Sequence, residues 1–109
     1  MSLAVLHSRA LSGLSASPVA VEVDLANGLP AFHIVGLPEA EVRESRERVR
    51  AALTNCGFEF PARRITVNLA PAELPKESGR FDLPIALGIL AATRQISPES
   101  LDRYEFAGE

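Results

Sequence analysis

The stretch "VAVEVDLANGLPAFHIVG", Val19 to Gly36, decides how this chain is read. Val19, Val21, Val23 and Leu25 alternate with Ala20, Glu22, Asp24 and Ala26. A period of two gives a strand with one buried and one wetter face. Asn27-Gly28 follows, and both residues tolerate positive φ, so the dipeptide predicts a tight hairpin turn. Phe32 and Ile34 alternate with His33 and Val35 on the return strand, with Pro30 at its start, where a missing N–H does least harm.

Upstream, Ser2 to Leu11 is apolar and predicts a first strand, followed by "LSGLSASP", a connector broken by Gly13 and Pro18. The first 17 residues hold no acidic residue and are rich in serine, faintly like a transit peptide, but they read as structure. Downstream, "GLPEAEVRESRERVRAALTNCGF" predicts a helix. Pro38 suits its first turn, and Gly57 suits a left-handed C-terminal cap. Val42, Val49, Leu53 and Cys56 form its apolar stripe, with Cys56 expected as a small buried hydrophobe. Glu39–Arg43 and Glu44–Arg48 lie at i,i+4 on the wetter face. "RRITVNLAP" predicts a short strand that ends at Pro71.

The next stretch, "PKESGRFDLPIALGIL", predicts a buried helix that Asp82 caps and Pro84 opens. Gly88 in its middle implies close approach of another element. The chain closes on a strand-like "YEFAGE". The order β, β-hairpin, α, β, α, β predicts an α/β (α+β) two-layer sandwich: a mixed sheet with an N-terminal antiparallel hairpin and two main helices on one face.

Composition narrows the function classes. The chain has 109 residues, 47% of them apolar and 23% charged, with a formal charge of −3. One domain is expected, and net charge alone does not call for nucleic acid. A single cysteine excludes an internal disulfide and a thiolate metal cluster, and fits a reducing cytoplasm. No apolar run reaches the length of a membrane span. His7 and His33 sit on separate strands with no third ligand nearby, so no metal site is expected.

The loop around Lys76 admits three readings. A phosphate loop needs Gly-Lys-Ser/Thr, which is absent, so no nucleotide cofactor is expected here. A Ser78–Lys76 dyad needs a neutral lysine, whereas Glu77 beside it favours the charged form. A solvated loop leading into a helix is the plain reading. Among the arginines, Arg43, Arg46, Arg48 and Arg50 are interleaved with glutamates, as on a self-paired face. Arg63, Arg64 and Arg80 are freer of carboxylates and are the candidates for contact with nucleic-acid phosphates.

"GLPAFHIVGLPEAEVRESRERVRAAL", "PARRITVNLAPAELPKESGRFDLPIALGILAA" and "FAGE" resemble the N-terminal domain of the magnesium-chelatase-like AAA+ ATPases of the YifB/ComM type. The likeness spans nearly the whole chain. It implies a single Lon protease domain-like fold over residues 1–109, C-terminally truncated, also like one domain of a ribosomal protein. The AAA+ module lies outside this chain. It further implies a bacterial, cytoplasmic protein that processes DNA, in branch migration or natural competence. ATP and Mg²⁺ are expected for the full-length protein. Its partners would be its own AAA+ module, neighbouring subunits of a ring and DNA. Laid onto the Lon pattern, the serine position falls near Arg80. Lys76, Ser78, Gly79, Arg80 and Asp82 then form a degenerate active-site loop with no catalytic residue. A residual Ser–Lys hydrolase and a purely structural oligomerisation module are the alternatives.

Overall fold

The computed structural model describes residues Ser2–Glu109. Four strands, β1 (Ser2–Ser12), β2 (Ser15–Ala26), β3 (Ala31–Val35) and β4 (Arg64–Ala70), form one mixed sheet in the order β1-β2-β4-β3. Three helices, α1 (Ala40–Arg43), α2 (Ser45–Asn55) and α3 (Asp82–Ala92), accompany it. The two-layer α+β architecture agrees with the sequence reading.

The N-terminal hairpin exists, but its turn is not at Asn27-Gly28. It joins β1 to β2 through Gly13-Leu14, with Ser12 opposite Ser15. Gly13 has φ +62 and supplies the first central position of a II′-type turn. Pro18 therefore lies inside β2, opposite Arg9, two residues before β2 begins to pair with β4 at Ala20. Its missing N–H breaks no part of that second ladder.

Asn27 to Pro30 does reverse the chain, but β4 inserts between β2 and β3, antiparallel to the first and parallel to the second. The four-residue loop spans two strand spacings, about 10 Å, which a two-residue hairpin turn cannot do. β4 takes the inner position because Ile65, Val67 and Leu69, each at most 1% exposed, supply the apolar row that β2 and β3 both need beside them.

The core lies on one sheet face. Leu6, Val21, Val23, Leu25 and the β4 row meet Ile85 and Ile89 of α3, all almost fully buried. Gly88 lets α3 settle on β2: a Cβ there would lie 2.5 Å from Val23 Cγ2. The opposite face carries Glu22, Asp24, Thr66 and Asn68, all half-buried.

The expected first helix is divided at Glu44, where the backbone tightens and Glu47 N–H donates to Glu44 O at 3.0 Å. α2 ends as its sequence predicts. Gly57 has φ +86, Gly57 N–H donates to Thr54 O, and Phe58 N–H donates to Leu53 O, the paired bonds of a Schellman motif. Cys56 at that cap is exposed, contrary to expectation.

Tyr104–Phe106 lies against the outer edge of β1 without becoming a strand, and the chain then crosses to the start of α3. Phe106 N–H donates to His7 O at 2.8 Å, and Arg9 grips Glu105 with two bonds of 2.9 Å. Among the described residues, no helix is long and apolar enough to cross a membrane.

Candidate functional site: a closed loop and an arginine band

The loop between β4 and α3 is built around Lys76. Its main chain forms an isolated parallel bridge with Pro38: Lys76 N–H donates to Leu37 O at 3.1 Å, and Glu39 N–H donates to Lys76 O at 3.0 Å. Its side chain turns inward and is fully buried. The Nζ donates to Gly36 O at 2.7 Å and to Pro71 O. These carbonyls lie one residue beyond the carboxyl ends of β3 and β4, so the lysine ties together the two loops that leave the parallel pair.

Lys76 is therefore not the solvated residue that the sequence predicts. Burial pushes its amine below the usual lysine range, and the charge of Glu73 partly opposes that. Glu77, its neighbour in sequence, is not the carboxylate that matters. Gly36 makes the arrangement possible. It has φ +109, and an added Cβ would collide with the carbonyl oxygen of Leu69.

Ser78 follows with φ 69 and ψ 176, a region close to glycine's own. Its Oγ accepts from Arg80 Nε at 2.9 Å and, at 3.4 Å, from Arg80 N–H. The hydroxyl and the amine are thus two residues apart, but each is held by other partners. Neither arrangement activates a nucleophile, since the lysine has no bond to the serine oxygen. Gly79 is buried under the side chain of Glu109, and Gly108 N–H donates to Arg80 O at 2.9 Å.

Asp82 does not cap α3. It is the first helical residue and makes no side-chain cap bond; its carboxylate meets Arg48 of α2 at 2.6 and 3.0 Å. Gly108 O instead accepts from Leu83 N–H at 2.9 Å, satisfying a free donor of the helix start. The pair raises the Arg48 pKa, through the hydrogen bond to Asp82 first.

A triphosphate does not fit this loop. Lys76 is the only lysine of the chain, and its Nζ is committed to two carbonyls.

The arginines separate into two groups. The salt bridges among the described residues are Arg9–Glu105, Arg48–Glu44 and Arg48–Asp82. The expected Glu39–Arg43 pair does not form, and Arg43 Nη1 donates to Pro38 O instead. Arg43 and Arg46 line a hollow of about 340 Å³ along β3, with His33, Arg64 and Thr66. Arg50 and Arg63 line a second hollow of about 310 Å³ where β3 begins. Neither hollow is lined by a carboxylate. Arg63 and Arg64, adjacent in sequence, line different hollows, and Arg80 lies in a third with Glu41 and Glu109. Arg43, Arg46 and Arg50 also make no ion pair, although their alternation with glutamate predicts one. The signal that could have marked Lys76 is its solitude among ten arginines, since a compact ammonium fits between two carbonyls where a planar fork does not.

Comparison with known proteins identifies the family. The family model described as "Subunit ChlI of Mg-chelatase" matches residues 21–109. Over its entire length the chain is 56% identical to "Uncharacterized protein YifB" of Salmonella typhimurium and 59% identical to "Competence protein ComM" of Haemophilus influenzae. It is 43% identical over the same span to an uncharacterized protein of Mycobacterium tuberculosis. It spans 21–22% of the length of these relatives. A match of this extent settles the kinship, and the chain belongs to the magnesium-chelatase-like family of the YifB and ComM type.

Proposed function

We propose that this chain is the non-catalytic N-terminal, Lon-like domain of an AAA+ ATPase that processes DNA in the bacterial cytoplasm, and that it guides DNA toward the ATPase ring. The observation that carries the reading is the state of the arginines. Arg43, Arg46, Arg50, Arg63 and Arg64 flank β3 without a carboxylate partner, which leaves their charge for phosphates. The relative named a competence protein supports the DNA context. ATP and Mg²⁺ belong, on this reading, to a module outside these residues.

The test uses full-length protein. Replacing Arg63 and Arg64 by Gln lowers DNA affinity and DNA-stimulated ATP hydrolysis while basal hydrolysis persists. Unchanged affinity and unchanged stimulation would defeat the guidance role. The hydrolase alternative is addressed separately with a serine-directed covalent probe, for which no labelling of Ser78 is expected.

A further inference from the structure

Arg43, Arg46 and Arg50 recur at intervals of three and four along α1 and α2. Such residues share one side of a helical run and span about 10 Å along it. That is about three base-pair steps of one nucleic-acid strand, at about 3.4 Å each. Arg63 and Arg64 enter from the start of β4, on the other side of β3, where Ala31 N–H donates to Arg63 O. Cationic side chains therefore approach the β3 edge from both layers of the fold.

One further observation narrows the ligand. The site offers unpaired bases little stacking surface: Phe32 is buried, the ring of Phe60 is already covered by the Arg50 guanidinium at 4.3 Å, and the imidazole of His33 is the single exposed ring among the named lining residues. Proteins that grip single strands stack bases on free aromatic faces, whereas arginines alone contact phosphates and carry no sequence information.

Resting on the DNA-guidance reading, we propose that the arginine band across β3 binds the phosphodiester backbone of duplex DNA, without regard to base sequence and in preference to a single strand.

The experiment measures fluorescence anisotropy of full-length protein with labelled duplexes of two unrelated sequences and a single strand of equal length, over a salt series. The variants are R43Q/R46Q/R64Q and, changing only exposed positions, R43E/R64E. R103Q, at a distant surface, is the control. Circular dichroism checks that each variant is folded. The wild type is expected to bind both duplexes equally and the single strand more weakly. With about 0.9 counterion per phosphate, three lost contacts flatten the slope of log K against log salt by about 2.7. Between 50 and 200 mM salt, the affinity loss of the triple variant is then about 40-fold smaller than that of the wild type.

Folded variants that keep the wild-type slope would overturn the assignment of the site. A single strand bound as tightly as duplex, with the same dependence on these arginines, would overturn the duplex preference and leave DNA guidance standing. A wild-type protein with no DNA affinity at low salt would remove the guidance reading itself.

Discussion

Replacing Lys76 by Met tests whether the buried amine organises the loop. Methionine keeps most of the apolar stem and removes the donor. Gly36 O then loses its side-chain partner, while Pro71 O keeps the N–H of Leu74 at 3.3 Å. An acceptor left unsatisfied costs about 1–3 kcal/mol, partly offset because no amine has to be desolvated, so a net loss of about 1–2 kcal/mol is expected. Lys76→Ala also removes three buried methylenes, at about 0.8 kcal/mol each, and adds about 2 kcal/mol more. Urea denaturation followed by far-UV circular dichroism reads both values. The same assay against pH supplies an independent signature. Burial lowers the folded-state pKa, so between that value and the ordinary lysine value near 10.4 the unfolded chain binds more protons than the folded one. Wild-type stability should therefore rise with pH through that alkaline window, by up to about 1.4 kcal/mol per pH unit, and level off above it. The difference between wild type and Lys76→Met isolates the contribution from other titrating groups. A methionine variant as stable as wild type at pH 7, or a difference that does not change with alkaline pH, would refute the account of Lys76.

Other substitutions follow from the same geometry. Arg48→Met strands the Asp82 carboxylate, which is only 8% exposed, and should cost about 3 kcal/mol. Asp82→Ala should cost less, because Arg48 is 36% exposed and can turn to water or Glu44; a double-mutant cycle in urea measures both. Gly36→Ala should destabilise by about 3 kcal/mol or more, since positive φ and collision with the Leu69 backbone act together. Gly28→Ala, with equally unusual φ but open space around it, should cost about 1 kcal/mol, and thermal melts would show the contrast. Gly88→Ala gains about 1 kcal/mol of helix propensity but meets Val23, so a net loss of about 1 kcal/mol is expected in the same melts.

Local features were legible where one segment determines its own shape. The alternation of Val19 to Leu25, the Schellman end at Gly57 and the close packing at Gly88 depend on neighbours in sequence or on one apolar face. Sheet order was not legible. Asn27-Gly28 announces a reversal, but nothing between Val19 and Gly36 says that a strand forty residues later will enter the gap. The site was harder still. Whether Arg43 pairs with Glu39 or stays free depends on side-chain direction that i,i+4 spacing does not fix. That Lys76 is buried depends on two carbonyls at the far ends of strands β3 and β4. The partner of Asp82 lies 34 residues away on another helix, so capping chemistry, a local rule, gave the wrong role to the right residue.

In open α/β sheets, ligands settle in the crevice beyond the carboxyl ends of parallel strands. Here that crevice holds the amine of Lys76, which acts as a tethered, permanent ligand. Such an occupant cannot dissociate without local unfolding, so no soluble cation competes with it on equal terms. The place where folds of this kind most readily evolve a binding pocket is closed from within. New recognition can then arise only on outer surfaces, and the band beside β3 is such a surface.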